Sequence, residues 1–414
     1  MPVRLSPIQR IVEVGWPSVG DLFVCGDFNR WNDDATLATL LQYNKATDTW
    51  TKRTTGLSGS PCNFAVFNNR LYVITSLRIQ YYDPATQQWV NTAITTSSGG
   101  DFFSYCLCVL GSELYAFAPL QFSGQSGGSS YVIKTSDGTN WSAVSGHGIT
   151  NGARRSRAGT GCIYYSGSNG SAQIFGKYDG VTWSTSQWTL SSATKITWFA
   201  ESSLGGVLVT ATSTLNWNNG PLIDPGGTFG PQNPDGCAFL WNPTGDAIDV
   251  CVGGFNDYAN GPNTEYQQRM ATTSFGYCIE DVPGAAGRAI FGTGGSSPPR
   301  HDIITLFPLN VIPEDGGVVW ELSVDDTFSS NQGYCSGEVY CMEWYGDTLL
   351  IGGTHTGIGY NRPTATCLST GQLRGFSAFD GSTHAKAFNS TGSLNGSGGV
   401  RGMIHIRKDA GNLT

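Results

Sequence analysis

The sequence predicts an all-β chain assembled from repeated four-stranded antiparallel units, and three observations carry that prediction. The first is a strand-turn-strand module that recurs. In Tyr81-Tyr82-Asp83-Pro84-Ala85-Thr86-Gln87-Gln88-Trp89, Asp83-Pro84 starts a turn with φ already set and Trp89 opens a second strand with a large apolar face. Thr86 is expected to fold its hydroxyl back on the turn backbone. Tyr43-Asn44-Lys45-Ala46-Thr47-Asp48-Thr49-Trp50 repeats the aromatic, the Asx, the Thr and the Trp 39 residues earlier. Asp137-Gly138-Thr139-Asn140-Trp141 and Asp179-Gly180-Val181-Thr182-Trp183 keep the Asp and Trp across a tighter turn, and Phe379-Asp380-Gly381-Ser382 echoes the module without the Trp.

The second observation is a regular series of short apolar runs. They begin at Leu22, Leu71, Leu114, Ile163, Val207, Ile248, Ile290 and Leu349, at steps of 49, 43, 49, 44, 41, 42 and 59 residues. Each follows a tight polar or glycine turn: Gly20-Asp21, Asn68-Asn69, Gly111-Ser112, Gly159-Thr160-Gly161, Gly205-Gly206, Gly245-Asp246, Ala286-Gly287 and Gly346-Asp347. The third is the lack of any long Gly-free stretch with apolar positions at helical spacing.

Further β-prone runs precede most turns, such as Cys62 to Phe67, Tyr105 to Leu110, Phe275 to Ile279 and Val339 to Trp344. Each period therefore holds about four strands, a, b, c and d, with the Asp-to-Trp module joining c to d. Four-stranded antiparallel units at a period in the forties point to a single β-propeller domain over residues 1–414. Eight b runs argue for eight blades; if Val207 to Ile290 forms one blade with large loops, there are seven. The ring must close, because an open blade leaves edge strands able to pair with other chains. After the Gly/Ser-rich connection at 389–399, Met403-Ile404-His405-Ile406 is the expected closing strand, paired with N-terminal strands; Ile11-Val12-Glu13-Val14 competes for that place.

Charged residues make up 13% of the chain and Gly numbers 56, which suits a turn-rich β surface held by hydrogen bonds. The 12 Trp, 17 Tyr and 20 Phe argue against disorder. A formal net charge of -8 offers no broad footprint for nucleic acid or an anionic membrane, leaving only a local channel patch. No apolar run has transmembrane length and the start carries no signal-peptide pattern. The 11 cysteines show no zinc spacing; Cys25, Cys62, Cys106, Cys237, Cys251, Cys278 and Cys341 fall in apolar runs, and Cys106 and Cys108 face the same way on one strand. They read as buried free thiols, which implies folding in a reducing cytoplasm.

Tyr82 to Trp89, with Gly-Gly pairs ending b strands at Gly253-Gly254 and Gly352-Gly353, resembles the kelch repeat. Thr135 to Trp141 looks like the Asp-box of sialidase-type propellers but lacks the residue between Asp and Gly. Both motifs shape turns and imply a propeller, not an activity. A sialidase resemblance would imply an arginine cluster with a Tyr nucleophile and an acid, and no FRIP-like sequence stands near the N-terminus. Galactose oxidase, a kelch relative, binds copper through Tyr and His, whereas His147, His301, His355, His384 and His405 are scattered. No G-x-S-x-G stands on a strand-to-helix elbow, and no phosphate-binding GxxxxGK[ST] occurs. Glu280-Asp281 and Asp325-Asp326 are carboxylate neighbours, which point to opposite faces of a strand.

Two regions remain as candidate sites. Arg154, Arg155 and Arg157 precede the fourth b strand, where alternate residues of an inner strand place two guanidiniums against a shared anion; the competing reading is a solvated basic loop. The long insertions fall between b and c: Asp27 to Ala38, Leu120 to Ser129, Ser213 to Asp235, Phe255 to Tyr266 and Thr354 to Gln372. They build one tall face carrying Phe28, Trp31, Phe122, Trp217, Phe229, Tyr258 and Tyr360, aromatics suited to protein or sugar contacts. The expected function is a non-enzymatic structural or docking propeller without metal or cofactor, whose partners are other structural proteins of an assembly. Composition is similar to that of virion components such as phage tail propellers. The alternative is a propeller lectin binding a host-surface glycan or receptor.

Overall fold

The computed structural model describes residues 17–26, 30–31, 39–44, 46–47, 49–97, 102–122, 130–170, 172–190, 195–203, 205–212, 222–223, 238–252, 275–281, 289–294, 301–308, 320–321, 334–335, 339–345, 348–353, 358–359, 373–377, 394–395 and 400–407. The chain is all-β, and among these residues seven antiparallel meanders succeed one another. The first joins Val400–His405, Leu22–Gly26, Leu40–Asn44 and Thr49–Lys52. The second runs Pro61–Phe67, Arg70–Thr75, Arg78–Asp83, Gln88–Thr96; the third Cys106–Leu110, Glu113–Phe122, Ser130–Thr135, Ser142–Ala143. The fourth runs Ala153–Gly159, Cys162–Ser168, Gln173–Tyr178, Trp183–Thr185; the fifth Ile196–Glu201, Val207–Ala211, Ala238–Asn242, Ala247–Val252. The sixth runs Phe275–Asp281, Ala289–Gly294, His301–Pro308, Trp320–Glu321, and the seventh Val339–Tyr345, Thr348–Gly353, Leu373–Ser377.

The expected pairing of chain ends is present as a ladder: Leu22 lies opposite His405, Phe23 opposite Ile404 and Val24 opposite Met403. Its competitor, Ile11 to Val14, lies outside the described residues. The leading strands of consecutive meanders are neighbours, and Val400–His405 adjoins both Val339–Tyr345 and Pro61–Phe67. Gly402 permits the second approach: a Cβ there would lie 2.6 Å from the Cys62 carbonyl oxygen.

Seven of the expected b runs are second strands, but the run at Ile248 is not. It forms the fourth strand of the fifth meander, with Asn242 opposite Ala247. The turn before it is a c-to-d module like the one at Asp83: the Asn242 side-chain oxygen accepts the Thr244 N–H at 3.0 Å, as Asp83 accepts the Ala85 N–H at 3.1 Å. Asp246, at φ 47°, then completes it.

The repeated modules do join third to fourth strands, with Tyr82 opposite Trp89 and Tyr43 opposite Trp50. The rings of Tyr82 and Trp89 meet edge-on at 5.4 Å. The Thr86 hydroxyl donates to the Asp83 carboxylate at 2.7 Å rather than to the turn backbone. Asp137 accepts the N–H groups of Thr139 and Asn140, each at 2.7 Å, and Asp179 accepts those of Val181 and Thr182. Backbone donors at both turns hold these carboxyls below the ordinary aspartate value, Asp137 the further. The module at Phe379 lies outside the described residues.

Strands such as Leu71-Tyr72-Val73-Ile74 read as continuous apolar runs because both faces are buried. One face, with Tyr72 and Ile74, packs on Tyr105, Leu107 and Leu114 of the third meander; the other, with Leu71 and Val73, packs on Phe23 and Leu40 of the first. Cys106 and Cys108 share one face and pack toward the fourth meander, as expected. The core is thus a series of layers between meanders. Polar latches reinforce it: the Asp246 carboxylate accepts the Ser186 hydroxyl at 2.5 Å and the Gln187 N–H at 2.7 Å, and its backbone oxygen accepts the Trp188 indole N–H at 2.9 Å.

Candidate functional site

Ala153–Gly159 is polar in sequence, yet it is the leading strand of the fourth meander. It is held by pairing with Cys162–Ser168 through a turn in which Gly161 has φ 68°, and its register shifts between Ala153 and Ser156. The three arginines therefore sit on a strand, not on a solvated basic loop. Alternation divides them. Arg154 turns toward the third meander, where its Nη1 donates to the Ser104 hydroxyl at 3.1 Å. Ser156 faces the same way: its N–H donates to Cys106 Sγ at 3.4 Å, and Cys108 Sγ donates to its hydroxyl at 3.6 Å.

Arg155 and Arg157 turn toward the fifth meander and flank one side chain, Trp198. Their guanidinium carbons lie 4.0 and 4.9 Å from its ring. Arg157 Nη1 also donates to the Phe199 carbonyl oxygen at 2.8 Å and pairs with Glu280 Oε1 at 2.5 Å. The same Glu280 oxygen accepts the Trp198 indole N–H at 3.0 Å. Three leading strands thus meet in one buried network, in which Arg155, Trp198 and Glu280 are only 5, 4 and 5% exposed. The seventh meander adds Glu343, paired with Arg407 at 3.1 Å. Burial pushes the Glu343 carboxyl up to about 7, against the pull of Arg407 and Arg157.

Three thiols, Cys108, Cys278 and Cys341, feel the charge of this network's arginines. Among the described residues Cys25, Cys62, Cys106, Cys108, Cys162, Cys278 and Cys341 are buried and form no disulfide. Burial pushes Cys108 and Cys341 up to about 12 and Cys278 well above its ordinary value, so these three stay protonated. His147 and His405 build nothing with them among the described residues. His147 is buried against the backbone of residues 144 and 149, His405 Nδ1 is 3.1 Å from the Trp344 carbonyl, and no metal-binding group of three His, Cys, Asp or Glu occurs among the described residues.

The sequence reading anticipated two guanidiniums on one face but missed Trp198, Glu280 and Glu343 as their surroundings. Glu280 was visible as half of a carboxylate pair on a strand. Trp198 was visible only as one aromatic in an apolar run.

The described parts of the insertions share a repeated device. The extension Leu120–Phe122 pairs with Ile94–Thr96 of the connection entering the third meander. Leu222–Ile223 pairs with Thr189–Leu190, Ile358–Gly359 with Tyr334–Cys335, and Arg30–Trp31 with Leu394–Asn395. In each case an insertion after a second strand is tied to the segment that leads into its own meander. In three of them the connection also pairs with a third strand of the preceding meander, as Thr95 does with Arg78, Leu190 with Gln173 and Cys335 with His301. Phe122, read as a loop residue, ends a strand and packs partly buried on the layer between the second and third meanders. Trp31 sits opposite Leu394. Phe28, Trp217, Phe229, Tyr258 and Tyr360 lie outside the described residues.

No protein-family model matches the chain, and no curated protein matches it. Among solved structures it is similar to a GH74 xyloglucanase from Xanthomonas campestris, at 12% identity over 88% of this chain and 53% of that one, with a TM-score of 0.48. It spans about half the length of that enzyme. It is also similar to YCF48 from Cyanidioschyzon merolae, at 12% identity over 78% of this chain and 83% of that one, with a TM-score of 0.40. These neighbours are β-propeller-like proteins, and the chain described here is all-β with several antiparallel sheets.

Proposed function

We propose that the chain is a non-enzymatic docking scaffold: a single β-propeller, kelch-like in its turn modules, whose insertion face contacts other proteins of an assembly. The observation that carries the reading is the set of four insertion-to-connection pairings, which ties the tall face to the meanders beneath it. Backbone pairing at the base of an insertion preorganises it, which lowers the ordering cost of association. Seven blades is the count that the succession of leading strands supports, with Val400–His405 completing the first blade. Folding in a reducing cytoplasm belongs to the same reading and is supported by the buried free thiols. Low charge and Gly-rich insertions support its finer form, a virion component of the phage-tail kind.

The test is size-exclusion chromatography with light scattering at two salt concentrations, with and without a lysate of the source organism. A defined assembly, or a co-eluting partner lost when Trp31, Trp217 and Tyr258 are replaced together by Ala, is the expected result. A monomer that captures no protein yet binds immobilised glycans overturns it in favour of a lectin.

A further inference from the structure

We propose that the guanidinium of Arg155, lying against Trp198 where the leading strands converge, binds a small oxyanion, carboxylate or phosphate, as its counter-ion. Buried charges in proteins are paired, and an arginine does not shed its proton to escape the requirement. Arg155 is 5% exposed, its Nε is buried without a hydrogen-bond partner, and no carboxylate among the described residues pairs with it. The nearby acids are engaged elsewhere. Glu280 Oε1 is taken by Arg157 at 2.5 Å and by the Trp198 N–H at 3.0 Å, and Glu343 by Arg407 at 3.1 Å.

The thiols do not substitute for those acids. Cys108, Cys278 and Cys341, on the leading strands of the third, sixth and seventh meanders, all feel the charge of Arg155, and all are held protonated by burial. Arg155 therefore projects a positive field toward several strands with no fixed negative charge of its own. Stacking on Trp198 occupies one face of the guanidinium and leaves its edge donors, the part that bonds an oxyanion in a planar fork. The site is independent of the docking face.

The experiment is thermal unfolding of the full chain while chloride is replaced stepwise by inorganic phosphate or by formate at constant ionic strength. The expected result is a rise in Tm that grows with the logarithm of anion concentration and reaches roughly 3 °C at a hundredfold excess over Kd with at least one anion. The rise should be lost in Arg155→Met and kept in Arg154→Met, whose guanidinium goes to Ser104. If Arg155→Met does not fold, Arg155→Lys, which keeps the charge without the fork, should bind about tenfold more weakly. Binding should also change the emission that disappears in Trp198→Phe. A flat response to both anions, or an equal response in the Arg155 variants, overturns the proposal.

Discussion

The Tyr72 hydroxyl donates to the Gly138 carbonyl oxygen at 3.5 Å, joining the second strand of one meander to the outer turn of the next. Gly138 has φ 79°, and a Cβ there would overlap that hydroxyl outright. Gly138→Ala should therefore cost about 1–3 kcal/mol, from backbone strain and overpacking together. Tyr72→Phe should recover part of that loss in the double variant, because it removes the clashing oxygen but not the strain. Urea unfolding of the four species in the cycle measures the coupling.

His147 should make the fold acid-sensitive. The Ile149 N–H donates to its Nδ1 at 3.0 Å, so the ring proton sits on Nε2, 3.1 Å from the Val144 carbonyl oxygen. Burial holds its pKa below the ordinary 6.5, so the folded state binds fewer protons than the unfolded one. Its contribution is complete above pH 6.5 and is lost as pH falls through the depressed folded value. In His147→Gln, the drop in Tm between pH 7 and pH 5 should shrink, which scanning calorimetry would read.

Glu343 should act with the opposite sign. Its carboxyl is raised from 4.5 to about 7, chiefly by burial, so the folded state binds the extra proton. Its contribution is complete below pH 4.5 and is lost as pH rises through about 7. Glu343→Gln fixes the neutral form and should flatten the fall in Tm between pH 5 and pH 8.

Cys108, Cys278 and Cys341 should resist thiol reagents until the fold opens. Each is buried and held protonated. Labelling of the native protein by a disulfide reagent, followed by mass spectrometry, should modify them at the rate of global unfolding, and mild urea should accelerate all three together.

What was legible in the sequence is what neighbours in the chain decide. Asn68-Asn69, at φ 47° and 57°, makes the hairpin that its dipeptide predicts, and the Asp-to-Trp turns join the strands expected. The error at Ile248 arose because Gly245-Asp246 has hairpin chemistry whether it joins a first strand to a second or a third to a fourth. Asn242-Pro243, the echo of Asp83-Pro84, was the signal that distinguishes them. The central network was not legible, since Trp198 and Glu280 meet across 82 residues and no local pattern connects them. Nor were the insertion pairings, because two-residue bridges such as Thr189–Leu190 with Leu222–Ile223 arise from placement rather than β-propensity.

The ladder between Leu22–Gly26 and Val400–His405 sets a clock on biosynthesis. Leu22–Gly26 precedes the other described meanders in the chain and Val400–His405 follows them, so the first meander stays short of its leading strand while the others are made. Its exposed backbone edge is a site for wrong pairing throughout that interval. Contacts of such long range also slow the last step of folding in the finished chain. A circular permutant that fuses residue 407 to residue 17 and opens the chain between the second and third meanders would make this ladder local. It should refold faster from urea than the natural order.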